Sequence, residues 1–596
     1  MKIKIIKVPG FQINGILPPF GMVKIYTYLK EKGFDIVQED LDAMLHPAGD
    51  MNIRSASRDR LSRIFIQKKR LIDYFTTGQD RELEDITSFY VKNTDFEGVD
   101  FLLLSVFPFD LCSSMLALLM ARYFKSEFNN KPVAIGGEIV QAAYINEGFS
   151  LYSELGLVDY YVSGFGERPL EIILKKMRGE NVDLESAEGL KYKNRSRLTR
   201  LADKKSRFIH RLKQFFSVRL LDKIYIPIKL CSQTSRSRLL AAGWDRIMKR
   251  TRAERILLTP DFSGLSLERY EWSPGDFLKT LNGNSALPQA RVLTLPYQIV
   301  SGCPNRCAFC ARSVYKNINF LRPQEAVDNL FFLSRKYNTR HFFFLNTYLN
   351  ITPWFVEEFC NEVNKRGLVV FWSDSASLKN INNPDMLVKM RRAGGCRLIF
   401  GLESASPRMQ LYINKKIDLR KASNVLRWSH EAGIWTGLDI IAGMPHERQE
   451  DIDNTLNFLN ANTEYIDEVW LTRFRLDMHS MMFHYPERYA ISDIREADYP
   501  FQELIDNDLE SYRYAFNETG GLKWQEKKKQ IEESFQTIKR WALANRRLAF
   551  PIPSQLSLIL YLYEYLSDKN EIRNYYRLYC EWFYSMHSAS YAPSAI

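Results

Sequence analysis

Features typical of secreted, membrane-spanning or disordered chains are scarce in this sequence. Only 8 of its 596 residues are cysteine, too few for a disulfide scaffold. The N-terminal run MKIKIIKV is too short before Pro9 for a signal peptide, and the most apolar stretch, 101–121, is interrupted by Pro108 and Asp110. We therefore expect a cytoplasmic protein, and the apolar fraction of 45% predicts that it is globular.

Outside one segment, the chain also lacks an excess of positive charge. The formal net charge is +12, but residues 191–256 hold 20 Lys and Arg against four acids, so this segment carries +16 and the rest sums to −4. A basic segment suggests an acidic partner, although a solvated arm, a nucleic-acid site and a contact with another subunit all remain open. We assign 186–288 to a basic linker or arm subdomain.

Residues 1–185 contain no phosphate-loop or dinucleotide fingerprint, but strand-like and helix-like stretches alternate along them. Strand-like runs such as MKIKIIKV, FDIVQED and FLLLSV predict an α/β domain with a doubly wound parallel sheet, and 46–95 reads as a helical insertion. Glycine-containing loops follow three of the strands, where a backbone can approach a ligand closely. These loops are LPPFGM (17–22), IGGE (135–138) and SGFGE (163–167).

A second alternation begins at Arg291 and continues through six strand-like and five helical stretches. It predicts a partial parallel (β/α)6 barrel at 289–495, in which function gathers at the carboxyl ends of the strands. Residues 496–596 show no repeated strand pattern and predict a helical C-terminal domain.

Three of the cysteines lie within eight positions, directly after the first barrel strand. In SGCPNRCAFC, Cys303, Cys307 and Cys310 form a C-x3-C-x2-C pattern. Three thiolates on one loop can bind three irons of a cubane cluster and leave the fourth iron open to another ligand. A structural zinc site normally needs four ligands, and no fourth Cys or His lies nearby in sequence.

This pattern, with Phe309 before the last cysteine, resembles the radical S-adenosylmethionine (SAM) superfamily over about residues 290–476. LNTYLN follows the second barrel strand and GLESAS the fourth, and GLDIIAGMPHE resembles the fifth-strand motif of that superfamily. The resemblance implies a [4Fe-4S] cluster on the three cysteines, and SAM cleaved to a 5′-deoxyadenosyl radical. The residues that it implies as SAM contacts are Phe309, Asn346, Glu403, Ser404 and Ile441.

The order of the two domains, with the connector PDFSGLSLERY (260–270) between them, is similar to the cobalamin-binding-domain class of this superfamily. That resemblance implies a cobalamin cofactor. No D-x-H-x-x-G motif offers a histidine to cobalt, so a degenerate domain without cobalamin is the alternative. The implied cobalamin contacts are Pro19, Gly21, Gly136, Gly137, Glu138, Gly164, Gly166 and Glu167.

The segment 475–489 follows the sixth barrel strand, and its position predicts substrate contact through polar side chains. These are His479, Ser480, His484 and Tyr485. Asp439, on the fifth strand, is a further candidate to face the barrel lumen. Only Cys112 lies in the N-terminal domain, which disfavours a methylthiotransferase with a second cysteine cluster there.

Together these resemblances imply a cobalamin-dependent enzyme that methylates an unactivated carbon of a natural-product or peptide substrate, supplied with electrons by a flavodoxin or ferredoxin. One alternative is a radical SAM enzyme that catalyses cyclisation, rearrangement or peptide crosslinking. Another is a nucleic-acid-binding protein with a structural iron–sulfur cluster, for which the basic segment 191–256 would supply phosphate contacts.

Overall fold

A computed structural model describes most of the chain. The described residues are 1–10, 17–45, 60–61, 63–65, 67–91, 94–106, 111–137, 153, 155–162, 164–187, 189–192, 257–281, 287–314, 318–477, 479–496, 514–547 and 555–587. The predicted partner-binding segment 191–256 lies outside them except for its first two residues. No helix in the described ranges is long and apolar enough to cross a membrane.

The N-terminal domain is built on a six-stranded sheet in the order β2-β1-β3-β4-β5-β6. All neighbours pair in parallel except β5 and β6, which are antiparallel. The strands are β1 (Lys2–Lys7), β2 (Asp35–Asp40), β3 (Val99–Ser105), β4 (Val133–Gly136), β5 (Tyr160–Val162) and β6 (Leu190–Tyr192). The helices are α1 (Phe20–Glu31), α2 (Leu41–Leu45), α3 (Lys68–Thr77), α4 (Arg81–Val91), α5 (Leu111–Glu127) and α6 (Glu167–Met177).

Both faces of this sheet are covered, which is why its central strand β3 is almost continuously apolar. Leu102 and Leu104 pack with α3, α4 and α5 on one face, and Leu103 packs with α1 and α6 on the other. The doubly wound sheet is confirmed. Its order reverses between β1 and β3, where such sheets bind ligands at their carboxyl edge.

The second domain is a seven-stranded sheet in the order β15-β14-β13-β12-β11-β8-β7, and its six parallel strands form the half-barrel. Only the two-residue β7 pairs antiparallel. The strands are β7 (Glu271–Trp272), β8 (Val292–Tyr297), β11 (His341–Phe344), β12 (Phe371–Ala376), β13 (Gly395–Glu403), β14 (Trp435–Ala442) and β15 (Glu468–Arg473), with β9 (Val300–Ser301) and β10 (Asn319–Phe320) as a separate pair. The helices are α7 (Gly275–Thr280), α8 (Pro323–Lys336), α9 (Pro353–Lys365), α10 (Asp385–Arg392), α11 (Pro407–Tyr412), α12 (Leu419–Glu431) and α13 (Gln449–Ala461).

Helices from the C-terminal region complete the half-barrel. They are α14 (Met481–His484), α15 (Trp524–Ala544), α16 (Gln555–Tyr565) and α17 (Lys569–His587). Helix α15 packs against β14 and β15, whereas α16 contacts β8, β11, β12 and β13. The Ser557 hydroxyl of α16 lies 3.0 Å from that of Thr294 on β8, and Gln555 donates to Glu468 at the start of β15. Helix α16 therefore closes the amino-terminal end of the barrel lumen.

The C-terminal region is mainly helical, as the sequence predicts, but it also contains one strand that the sequence did not predict. Strand β16 (Ile491–Glu496) pairs antiparallel with β17 (Tyr514–Glu518), so one strand lies inside the predicted helical domain. Tyr514 and Phe516 of β17 pack in one cluster with Met444 and Phe474 beside the barrel mouth. The hairpin is stabilised by packing with residues distant in sequence. The sequence around β17 therefore shows no repeated pattern that would predict a strand.

The connector 260–270 joins the two domains. Gln38 on β2 donates to the carbonyls of Asp261 and Ser263, and the Tyr270 hydroxyl donates to Asp40 at 2.6 Å. The Asp261 carboxylate also accepts from Lys30 on α1 and Lys336 on α8, both at 2.9 Å. Because these partners come from both domains, the connector fixes one domain against the other.

Candidate cluster and cofactor site

The three-cysteine loop lies at the carboxyl edge of the half-barrel, directly after β8 and β9. Cys303, Cys307 and Cys310 are all partly buried free thiols. Burial above all, with smaller contributions from the neighbouring Cys310 and Cys303, raises the pKa of Cys307 to about 11, while Lys415 opposes the rise. The three thiols therefore lie within electrostatic range of one another.

Backbone contacts with later parts of the chain hold this loop. The Ala308 amide donates to the Ile413 carbonyl at 2.8 Å, and the Ala308 carbonyl accepts from the Met482 amide at 3.0 Å. Asn414 donates through Nδ2 to the Arg306 carbonyl at 2.8 Å. The loop is thus shaped by the segments after α11 and before β16.

The donor chemistry of the loop fits an iron–sulfur cluster. No three His, Cys, Asp or Glu side chains in the described ranges have the geometry of a preformed metal site. The fit rests instead on three thiols on one loop, which is the ligand type that such clusters use. The Tyr348 hydroxyl lies beside Cys303 and accepts from Asn305 at 3.1 Å, and burial followed by Cys303 raises the pKa of Tyr348.

An ion pair lies next to the cysteine loop at the end of β13. Glu403 is buried with a φ of +67°, and its carboxylate accepts from the ammonium of Lys415. Burial alone would lower the pKa of Lys415, but Glu403 and Cys307 raise it, so the lysine is charged. The same ammonium lies 5.9 Å from the ring centroid of Phe309. Two predicted SAM contacts, Glu403 and Phe309, are thus brought together at the loop.

Lys415 was missed by the sequence reasoning. It lies twelve residues after Glu403, within INKKI, and nothing in local periodicity points to the lumen. Its position depends on buried Gln410, whose side chain donates to the carbonyls of Leu402 and Ser404 and accepts from the Ile417 amide. The one feature of the sequence that could have indicated Lys415 is that it is a lysine in the segment after Glu403, the acidic residue at the end of a strand.

Asn346 and Ser404, two other predicted SAM contacts, are buried with their side chains bonded to the protein. Asn346 accepts from the amides of Ile299 and Val300 at 2.8 and 2.7 Å and donates to Asp374 at 2.7 Å. Ser404 accepts from the Ser406 amide at 3.2 Å. In this structure Asn346 joins neighbouring strand ends, whereas Ser404 bonds within its own loop, and the contact of both with SAM stays a prediction.

The remaining predicted SAM contact, Ile441, faces the lumen together with Asp439. Along β14 these two side chains are partly exposed, whereas Leu438, Ile440 and Ala442 between and beside them are buried in the core under the helices. The strand alternates faces with period two, so Asp439 and Ile441 line the inner surface of the half-barrel.

The lower part of this lumen is sealed by buried polar groups. Arg397 on β13 donates to Glu468 at 2.7 Å and to Ser373 at 3.3 Å, and Glu468 also accepts from Gln555 on α16 at 2.6 Å. Arg397 and Glu468 are 2% and 1% exposed. Because each charge has a partner, this network can stay buried beneath the site.

The predicted substrate segment lies beside the cysteine loop. Ser480 is buried and caps α14, because its hydroxyl accepts from the Phe483 amide at 3.2 Å and donates to the Asp477 carbonyl at 2.6 Å. His479 is half-buried, and His484 and Tyr485 are exposed. Burial and the neighbouring His479 lower the pKa of His484. Substrate contact through these four residues stays a prediction.

The predicted cobalamin loops lie together at the carboxyl edge of the first sheet. Gly137 after β4 has a φ of +123°, and an added Cβ would lie 2.6 Å from the Val106 carbonyl oxygen, so this position requires glycine. At Gly166 a Cβ would lie 2.9 Å from a side chain of α1. Gly21 and Gly164 instead have no atom within 4 Å of an added Cβ.

The other predicted cobalamin contacts differ in their burial and in their position along the strands and helices. Glu167 is buried and forms an ion pair with Lys24 on α1 at 2.9 Å. Pro19 precedes the first residue of α1, and Gly136 ends β4. Glu138 lies outside the described residues.

Comparison with known proteins identifies the domain that holds the cysteines. The radical SAM superfamily matches residues 297–459. An uncharacterised methyltransferase of Pyrococcus horikoshii is 25% identical over 170 residues, which cover 28% of this chain and 37% of that protein. The anaerobic magnesium-protoporphyrin IX monomethyl ester cyclase of Rubrivivax gelatinosus is 24% identical over 200 residues, 33% of each protein. The chain thus spans about a third of the length of these relatives.

Two solved structures match almost the whole chain. The radical SAM methyltransferase TsrM from Kitasatospora setae, solved with cobalamin and a [4Fe-4S] cluster, has a TM-score of 0.52 at 13% identity and covers 97% of this chain and 98% of its own. The cobalamin-dependent radical SAM enzyme OxsB, solved with aqua-cobalamin and SAM, has a TM-score of 0.52 at 14% identity and covers 98% of this chain and 75% of its own. The protein therefore contains a radical SAM domain, and its overall fold is shared with TsrM and OxsB.

Proposed function

We propose that this protein is a cobalamin-dependent radical SAM enzyme that methylates an unactivated carbon of a natural-product or peptide substrate. The observation that carries the proposal is the thiol loop of Cys303, Cys307 and Cys310 at the mouth of a half-barrel whose lumen is partly open above a sealed floor. The shared fold with TsrM and OxsB supports the second cofactor.

The three thiolates would bind the cluster, which supplies the electron that cleaves SAM. Glu403 and Lys415 lie next to this loop and offer a carboxylate and an ammonium, groups that bind the hydroxyl, amino and carboxylate groups of SAM. Phe309 adds an apolar face beside them. These residues would hold SAM in one orientation, and orientation is the protein's main contribution when a cofactor carries the chemistry.

The carboxyl edge of the first sheet would bind cobalamin, which supplies the carrier of the methyl group. Gly21 and Gly164 leave open surface there, and the close approach at Gly137 holds the ends of β3 and β4 together. The eight residues of this predicted contact set would form the binding edge without a histidine ligand to cobalt. Lys24 holds Glu167 in place beneath it.

Helix α16 and the Arg397–Glu468 pair keep the lower lumen dry. Exclusion of water protects a reactive radical from side reactions, and here it depends on side chains that are themselves fully paired. An electron donor such as a flavodoxin or ferredoxin would supply the reducing equivalents.

The proposal is tested with anaerobically reconstituted full-length protein and SAM labelled with deuterium in its methyl group. We expect cobalamin to be retained on purification, and candidate substrates to gain a labelled methyl group in a reaction that also releases 5′-deoxyadenosine. Release of 5′-deoxyadenosine with product that carries no label would overturn methylation in favour of cyclisation, rearrangement or crosslinking. Matched protein with Cys360→Ala, a buried cysteine away from the loop, serves as the control.

A further inference from the structure

The upper half of the barrel lumen is open, whereas the lower half is sealed. On β13, the lumen-facing Arg397 is buried, but Ile399 and Gly401 further along are partly exposed. On β14, Gly437 is buried and Asp439 is partly exposed. The residues between them face the helices and are buried. Solvent-accessible space therefore remains in the lumen at the level of Asp439, and the Lys415 ammonium lies over Gly401, 2.6 Å from a Cβ added there, between this level and the cysteine loop.

Asp439 has unusual surroundings at the floor of this space. Its strand neighbours in register are Gly401, which has no side chain, and Trp470 on β15. No hydrogen bond or ion pair reaches the Asp439 carboxylate from any residue that the structure describes. The indole N–H of Trp470 is also buried without a partner among those residues.

Four charged groups surround this carboxylate. Glu403 and Lys415 lie above it and pair with each other, and Arg397 and Glu468 lie below it and do the same. Burial first, and then Glu403, raise the pKa of Asp439 to about 7, while Lys415 and Arg397 oppose the rise. The net result is a site at which an added positive charge or a hydrogen-bond donor is favourable, because either one stabilises the carboxylate.

Apolar side chains also line the lumen beside Asp439, between the two ion pairs. Ile399 and Ile441 are partly exposed to the same space, and the ring of Trp470 lies on the β15 side, with the Arg397 guanidinium 5.4 Å from its centroid. An apolar or aromatic group would bury surface against these side chains. A single polar group at the end of an apolar space fixes the orientation of a ligand.

We propose that Asp439 is the specificity-determining floor of the methyl-acceptor subsite and accepts a hydrogen bond from an amino or other N–H group of the substrate. The apolar or aromatic body of the substrate lies against Ile441 and Trp470. The inference rests on the proposed function, since it takes the ligand of this lumen to be the methyl acceptor, and it narrows that acceptor to nitrogen-bearing compounds.

The test uses two probes of similar shape, phenethylamine and 2-phenylethanol. Binding to reconstituted full-length protein with SAM is measured by calorimetry under anaerobic conditions without a reductant, so no turnover occurs. We expect phenethylamine to bind about tenfold more tightly than 2-phenylethanol, the difference typical of one charge-assisted hydrogen bond. In Asp439→Asn this preference is lost, and in the control Asp453→Asn, on the outer helix α13, it is kept.

The pH dependence of probe binding to the unaltered protein tests the inference even if the Asp439→Asn variant fails to fold. Because Asp439 gains a proton below about pH 7, the preference for the amine should fall between pH 8 and pH 6. Equal affinity for the two probes, no binding of either, or a preference that persists in Asp439→Asn or at pH 6 would overturn the inference. Since binding is measured without turnover, amine selectivity in a protein that transfers no methyl group would refute only the proposed function.

Discussion

Gly443, at the end of the fifth barrel strand, shows how one residue couples the carboxyl edge of the half-barrel to the C-terminal region. Its φ is +83°, a value that L-residues rarely adopt. A Cβ at this position would lie 2.5 Å from Cγ1 and 2.6 Å from Cα of Ile531 on α15. The helix therefore packs directly on the backbone of the GMPHE motif, and this packing excludes any side chain at position 443.

Gly443→Ala should therefore destabilise the protein more than a glycine replacement at an open position with the same backbone conformation. Gly433 has a φ of +75° and no atom within 4 Å of an added Cβ, so Gly433→Ala should cost only the conformational term of about 1–2 kcal/mol. Gly443→Ala adds a clash with backbone and should cost at least about 1 kcal/mol more. Urea unfolding of both variants measures the difference, and equal losses would refute the close packing.

At the scale of elements, the C-terminal helices are held to the barrel by buried charges. Asp467, just before β15, forms ion pairs with Lys569 at 2.9 Å and Arg573 at 2.5 Å, both on α17, and accepts from the Thr436 amide. Burial favours the protonated acid, but the two cations and the amide outweigh it and hold the pKa of Asp467 below its usual value.

Asp467→Asn should destabilise the protein by about 3–5 kcal/mol, because it leaves two cations near a buried site without their carboxylate. The exposed Glu581, 3.8–3.9 Å from two arginines, provides the matched control, and Glu581→Gln should change stability by less than about 1 kcal/mol. Since the pKa of Asp467 is depressed in the folded protein, its contribution is fully present above the ordinary value of 3.8 and is lost as the pH falls below it. Urea midpoints of the two variants at pH 7 and pH 3.5 test this, and a difference between them that does not shrink at low pH would contradict it.

At the scale of the whole molecule, much of the fold could be predicted because it depends on local patterns. Strands such as β13 and β14 are apolar runs, and the helices on either side of them show the helical period of apolar residues. The cysteine spacing marks the loop that follows β8. Lys415, the seal by α16 and the hairpin partner β17 could not be predicted in this way. Each depends on contacts between residues far apart in the chain, which leave no local signal.

The arrangement of the two sheets also depends on contacts between residues far apart in the chain. Resemblance identified the connector at 260–270, but its role rests on Asp261, whose partners Lys30 and Lys336 come from different domains. Through these contacts the connector bonds to helices of both domains. We propose that the thiol loop at the mouth of the half-barrel starts radical chemistry.

Release of 5′-deoxyadenosine from SAM, by anaerobically reconstituted full-length protein with dithionite as reductant, measures whether the loop has this role. We expect the unaltered protein and the Cys396→Ala control, a buried cysteine away from the loop, to bind iron and sulfide and to form 5′-deoxyadenosine. Cys303→Ala, Cys307→Ala and Cys310→Ala should each lose this activity. Formation of 5′-deoxyadenosine by any of the three loop variants at the unaltered rate, or an unaltered protein that binds no iron and sulfide, would contradict the account.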